Sequence, residues 1–319
     1  MTATSFAAFP VAAVGAQFGE IAPALQLVWW TVIGLFVGSF LNAAIYRLPR
    51  EGLTVTRPVR SICPSCKKSL AWHENIPLVS WLVQRGRCRG CRAPISWRYP
   101  LVESLTAAAW FWIAYETGVE HWDLIAVRVM VLSGLIVATF VDFEFFEIPD
   151  EVSIGGMLVA PVASFLVPAL HEHSWLALEL SQGAELDRTG ALLASLIGVA
   201  TGYGGLWTVA FLAERAYGKE AMGLGDVKLL GAAGGFVGPL GALVALVVAS
   251  FVGALVGVAN IGRLLCFLRR RVASRRSSRG WSDSLRAARC AGQMLPFGPY
   301  LALGTALALV YWNHLREWF

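Results

Sequence analysis

Long apolar runs recur from one end of the chain to the other, broken by short polar stretches and by one longer polar insertion. Read by length and flanking residues, they predict helices over 25–48, 101–117, 124–141, 152–170, 191–212, 227–237, 241–265 and 301–312. About 20 apolar residues in a helix span the hydrocarbon core of a bilayer, so these runs read as membrane spans. The expected fold is an all-α polytopic membrane protein of about eight transmembrane helices, with a small cytoplasmic insertion between the first two. Three parts follow: an N-terminal segment with the first span (1–48), the polar insertion (49–100) and a transmembrane domain (101–319).

The 227–237 run is Gly-rich and short for a span, and charge decides whether to keep it. The stretch 47–99 holds eleven Lys and Arg against Glu51 and Glu74, and 263–289 holds nine Arg against Asp283. Basic loops stay on the cytoplasmic side, so an even number of crossings must separate them. Counting the short run gives six; omitting it gives five. Eight spans result, with both termini outside. The acidic 171–188 stretch then falls on the outer side. Asp142, ending the third span, and Asp226, opening the sixth, fall on the same cytoplasmic face.

Composition agrees. Hydrophobic residues make up 56% and charged residues 15% of the 319, with a mean hydropathy of +0.60, whereas a soluble domain carries roughly 25% charged residues. The net charge is +5, but the basic residues cluster in two loops between spans, which argues for anionic lipid contact and against nucleic acid as a partner. The first 20 residues contain no Lys or Arg, so they lack the basic start of a cleavable secretory signal.

The insertion carries Cys63-Pro-Ser-Cys66 and Cys88-Arg-Gly-Cys91. Each C-x2-C turn aims two thiolates at one ion, and four complete a tetrahedral Zn²⁺ shell. In the reducing cytosol disulfides are disfavoured, and some 50 residues build little core, so a structural zinc supplies stability. Reduced free thiols are the alternative. His73 is left as a surface histidine, and Cys266 and Cys290 are assigned nothing.

Ionisable groups at the ends of apolar helices are functional candidates. Asp142 is followed by Glu144, Glu147, Pro149 and Asp150. Pro149 reads as the start of the next helix, and the later acids read either as a solvated cap or as an attractor for a basic substrate. Asp226 sits in Gly223-Leu-Gly225-Asp226-Val-Lys228. Gly223 and Gly225 remove bulk beside the carboxylate and permit unusual backbone angles, so an extended peptide can approach that loop and Lys228. Two carboxylates at one depth share a proton near neutrality, and the pair can activate water and protonate a scissile amide. Which takes which role is open, because such a pair titrates as a unit. A cation or proton relay in a transporter is the non-enzymatic alternative.

The residues resemble a family along nearly the whole chain. Gly38-Ser-Phe-Leu-Asn42 with Tyr46-Arg-Leu-Pro49, the paired Cys motifs, Asn75-Ile-Pro-Leu-Val-Ser-Trp81, Ile95-Ser-Trp-Arg-Tyr-Pro-Leu-Val-Glu103, Asp142 with Ile148-Pro-Asp150, Gly223 to Leu229, and Pro296-Phe-Gly-Pro299 occur in order. The chain is similar to the bacterial type IV prepilin peptidases, G-x-G-D aspartyl proteases that also act as N-methyltransferases. G-x-G-D proteases of the signal-peptide-peptidase kind lack the paired-Cys insertion. The resemblance implies cleavage of a short basic leader after glycine on prepilins or pseudopilins of type IV pilus and type II secretion systems. It also implies methylation of the new N-terminus by S-adenosylmethionine, a location in the bacterial cytoplasmic (inner) membrane with the site facing the cytoplasm, a catalytic pair at Asp142 and Asp226, and zinc on the four cysteines. No glycine-rich dinucleotide fingerprint marks a methyl-donor site. Glu103, Glu74 and Asn75, polar residues near the cytoplasmic interface, are the candidates to hold it.

Overall fold

The computed structural model describes residues 23–50, 52–55, 61–172, 174–181, 186–218, 222–274 and 296–315. The N-terminal stretch without Lys or Arg, Glu51, Arg57, Arg60, Glu185, Cys290 and the 275–289 part of the basic loop lie outside them. Among the described residues the secondary structure is helical, with two isolated bridges, Ile62 with Ser69 and Arg87 with Pro94. The chain divides into two compact units, 1–136 and 137–319.

In the first unit, α1 (Pro23–Arg47) leads into the insertion, which contains the one-turn helix α2 (Val79–Val83). Then follow α3 (Arg98–Thr117) and the first part of α4 (Trp122–Phe145). Helix α1 packs along α3, and polar groups fix the pair where apolar matching alone would let it slide. The Asn42 amide donates to the Tyr99 carbonyl at 3.0 Å, and Trp110 Nε1 donates to Ser133 on α4 at 3.1 Å.

The second unit takes the end of α4, then α5 (Asp150–Leu166), the short helix α6 (Trp175–Leu180), α7 (Arg188–Tyr217), α8 (Leu224–Ser274) and α9 (Gly298–Leu315). Helix α7 starts where Asp187, expected only as an acidic loop residue, accepts the Gly190 N–H at 2.6 Å as an N-cap, satisfying an orphan donor. It ends at Gly218 in the left-handed region. Helix α8 breaks at Gly238 (φ 74, ψ 176), immediately before Pro239. The short Gly-rich run is thus a helical arm of its own from Leu224 to that break, and every predicted span has a helical counterpart. Among the described residues, four helices (Pro23–Arg47, Trp122–Phe145, Arg188–Tyr217 and Leu224–Cys266) are long and apolar enough to cross a membrane by length and composition.

The short arm is seated by backbone contact. A Cβ on Gly198 of α7 would lie 2.0 Å from the Gly234 carbonyl oxygen, and one on Gly234 would lie 2.1 Å from that of Gly198. Only hydrogen on both sides permits this crossing, the small-residue packing that membrane helices use in place of a hydrophobic driving force. Ser195 Oγ donates to the Gly235 carbonyl at 2.7 Å across the same contact.

Helix α5 stops at Leu166, short of the expected 170, and a 3-10 turn (Pro168–His171) follows; within the 171–188 stretch, expected as a loop, lies α6. His171 is 2% exposed, with Nε2 3.0 Å from Ser164 Oγ. Burial holds its imidazole well below the usual histidine range, at about 4, against the opposing bond to the Gly235 backbone.

Candidate active site

Asp142 lies in the last turn of α4 and Asp226 in the first turn of α8, so 83 intervening residues return the chain to the same end of the bundle. Both line a cavity of about 290 Å³ with Phe146, Glu147, Ile148, Asp150, Gly223, Leu224, Gly225 and Lys228, and the carboxylates are close enough to interact electrostatically. Asp142 is 5% exposed, while Asp226 is half-buried.

A third element completes the site. Gly298, the first residue of α9, donates its backbone N–H to Asp142 Oδ2 at 2.9 Å. The donor belongs to a helix N-terminus, where unsatisfied N–H groups and the dipole favour a carboxylate. A Cβ at this position would lie 2.6 Å from the same oxygen, so the approach requires glycine. The Pro296-Phe-Gly-Pro299 motif pointed to this segment, but nothing in its pattern named Asp142 as its partner.

Phe146, which also lines the cavity, carries a φ of 57°. Bulky residues avoid this region, at a cost of order 1–3 kcal/mol, and such outliers gather at functional sites. Its N–H closes on the Asp142 carbonyl at 3.0 Å, turning the chain sharply out of α4 under the carboxylate. Hydrophobicity patterns carry no signal for such a turn.

The other acidic residues divide. Asp150 is the first residue of α5, with Pro149 as its N-cap rather than its first turn. Its carboxylate pairs with Lys228 Nζ at 2.7 Å, tying the start of α5 to α8 at the cavity mouth. Glu144 and Glu147 are exposed, Glu147 on the cavity lining. Of the two expectations for the glycines, unusual backbone angles are not met, since neither Gly223 nor Gly225 has a positive φ. Absence of bulk matters at Gly225, where a Cβ would meet the Ile148 side chain at 3.2 Å; at Gly223 a Cβ would lie 3.7 Å from Asp226 Oδ2, an ordinary contact.

In the insertion, one ligand atom from each of Cys63, Cys66, Cys88 and Cys91 lies within 4.8 Å of the others. The two C-x2-C segments adopt one design. Cys63 N–H bonds the Lys68 carbonyl and Lys67 N–H bonds the Cys63 carbonyl, each at 2.9 Å; Cys88 with Ala93 and Arg92 with Cys88 repeat the pattern at the same distances. Lys67 and Arg92, each directly after the second cysteine, both sit at positive φ (58° and 60°). The N–H groups of Cys91 and Gly90 bring the Cys88 thiol down to about 6, while, against the Ala93 N–H, burial and the neighbouring thiols push that of Cys91 up to about 11. This donor set fits a tetrahedral metal site.

The three methyl-donor candidates do not form a free cradle. Glu74 is buried, accepts the Ala71 N–H at 2.9 Å and pairs with Lys68 at 3.6 Å; these partners hold its carboxyl below the usual range. Glu103 is buried and accepts the Leu78 N–H at 2.8 Å. Asn75 alone of the three is exposed. Both carboxylates are thus engaged in holding the insertion together and onto α3.

Residues 32–117 match the family model of the bacterial peptidase A24 N-terminal domain, and residues 129–258 match that of the type IV leader peptidase family. A prepilin leader peptidase/N-methyltransferase of Aeromonas hydrophila is 32% identical over 94% of this chain and 97% of its own length. The chain belongs to the type IV leader peptidase family. A protein of that name from Myxococcus xanthus is 37% identical over 73% of this chain and 63% of its own. A type 4 prepilin-like proteins leader peptide-processing enzyme from Escherichia coli is 32% identical over 91% and 95%. No solved structure matches the chain. Membership in this leader peptidase family and the apolar helices together make it a multi-pass membrane enzyme, a protease that is also a methyltransferase.

Proposed function

We propose that this protein cleaves the basic leader of type IV prepilins or pseudopilins after glycine, at the cytoplasmic face of the inner membrane, and N-methylates the exposed residue. The observation that carries the proteolytic half is the convergence of Asp142 and Asp226 on one cavity, with the Gly298 N–H fixed on the first. A shared proton leaves one carboxylate to take a proton from water while the other donates to the scissile amide. The attacking oxygen and the departing amine are then served without metal or covalent intermediate. Gly223 and Gly225 leave room for an extended peptide beside Phe146, and the Asp150–Lys228 pair fixes the cavity mouth. Glu144 and Glu147 add negative charge beside it, suited to a cationic leader.

In the insertion Cys63, Cys66, Cys88 and Cys91 hold a structural Zn²⁺, whose bonds supply the folding energy that so small a core lacks. S-adenosylmethionine supplies the methyl group. Because Glu74 and Glu103 are bonded within the fold, no step of that transfer is assigned to them.

The test is to incubate the purified protein with a prepilin-like peptide and S-adenosylmethionine and weigh the product. Loss of the leader after glycine and gain of one methyl are expected. Asp142→Asn and Asp226→Asn should each lower cleavage by about 10²–10⁴-fold. A wild-type protein that never cleaves, or an Asn variant that cleaves normally, would sink the assignment of the pair.

A further inference from the structure

The insertion presents an apolar stripe that the proteolytic site does not use. Val79, Leu82 and Val83 of α2 are 52%, 65% and 64% exposed, and at i, i+3 and i+4 they share one helix face. On a free cytoplasmic domain such a stripe would be a liability. Its attachment shows where it sits. The residue before it, Leu78, is in a rare backbone conformation (φ 59°, ψ −50°), and its N–H is held by the Glu103 carboxylate.

Glu103 lies five residues beyond the Arg98 start of α3, which is about 7–8 Å along the helix axis. Trp97, the residue before that start, is 68% exposed, in the position of the interfacial aromatics that mark where a spanning helix enters the membrane. Helix α2 is therefore tethered below the level at which its neighbour enters the bilayer. Amphipathic elements lying in the interface bury their apolar face ~5–10 Å into the headgroup and acyl boundary, and the two depths agree. Charge completes the match, since Arg85, Arg87, Arg89 and Arg92 follow directly and are exposed, with Arg89 3.2 Å from His73.

We infer that α2 is an interfacial anchor: Val79, Leu82 and Val83 lie in the acyl region of the adjoining leaflet, while Arg85 and Arg87, which follow directly, engage anionic phospholipid headgroups. The Leu78–Glu103 bond sets the depth. The insertion is thereby fixed at the membrane surface at a point other than its two chain ends.

The full-length protein in nanodiscs tests this in two ways. A photoreactive benzoyl-phenylalanine at Leu82 or Val83 should give phospholipid adducts by mass spectrometry, and one at Lys67, on the cysteine loops, should not. Protein adducts at Leu82 and Val83, to a substrate peptide or a second copy, would overturn the inference. Hydrogen exchange needs no photoreactive residue in the helix. Protection of 79–83 should rise with the phosphatidylglycerol fraction and fall roughly fivefold for each of Arg85→Gln and Arg87→Gln. Protection indifferent to lipid charge and to both substitutions would remove the headgroup contact.

Discussion

In the insertion, two backbone loops bring four thiols within 4.8 Å of one another, and apart from Pro77 the buried apolar side chains over 61–97 are Cys63 and Cys88 themselves. In the 137–315 unit, two carboxylates converge because helices approach to backbone contact, with Gly198 against Gly234 and Gly298 against Asp142. One region gathers its chemistry through local turns and leaves its stability to what the thiols bind. The other spends its close packing on holding acids at a helix end. The first should fail when a ligand is removed, the second when a methyl group is added.

Metal removal should show the contrast most strongly. Structural zinc contributes roughly 10–16 kcal/mol to the folding of small sites. Chelation, or Cys63→Ser, should therefore abolish protection of 61–97 in hydrogen exchange and leave α7 and the short arm of α8 protected. Simultaneous loss in both units would break the comparison.

Gly298→Ala should act on catalysis with little effect on folding. It inserts a Cβ 2.6 Å from Asp142 Oδ2, and a displacement near 1 Å at a catalytic group costs up to about 10²-fold in rate. Peptide kinetics should show kcat falling while metal content and thermal unfolding stay near wild type.

Gly234→Ala should do the reverse, since it crowds the Gly198 carbonyl far from the reacting atoms. Overpacking of this kind costs about 1–3 kcal/mol, to be read as a lower unfolding temperature of the reconstituted protein. Unchanged stability would mean that the crossing is looser than 2.1 Å implies.

The smallest effect belongs to His171. Its value near 4 in the fold lies below the ordinary 6.5, so between those values the unfolded chain binds more protons. Stability from keeping it neutral is complete above pH 6.5 and is lost as pH falls toward 4, by on the order of 2 kcal/mol. Unfolding at pH 7 and pH 5 should differ less in His171→Gln than in wild type; an equal difference in both would exclude the histidine.

Much of this was legible in residue order. Span length, the parity of the basic loops and the C-x2-C spacing depend on local composition and on which side of a membrane a charge can occupy. They anticipated the helices, the separate short arm and the thiol cluster. Asp142 and Asp226 were legible as acids ending apolar helices. Glu74 and Glu103 read as polar residues near an interface, Asp150 as a cap or attractor and Lys228 as part of a substrate loop, because sequence does not record that a neighbouring N–H or side chain already satisfies them.

What the sequence by itself determined is the helical membrane architecture, the paired C-x2-C motifs and two acids at the ends of apolar helices. The tertiary structure alone decided that the Gly298 N–H meets Asp142, that Phe146 turns the chain beneath it, and that Leu78 binds Glu103. The reason is physical. Hydropathy and charge act on each segment separately, whereas these contacts join backbone groups 156 and 25 residues away from their carboxylates, or depend on a backbone angle that side-chain patterns do not encode.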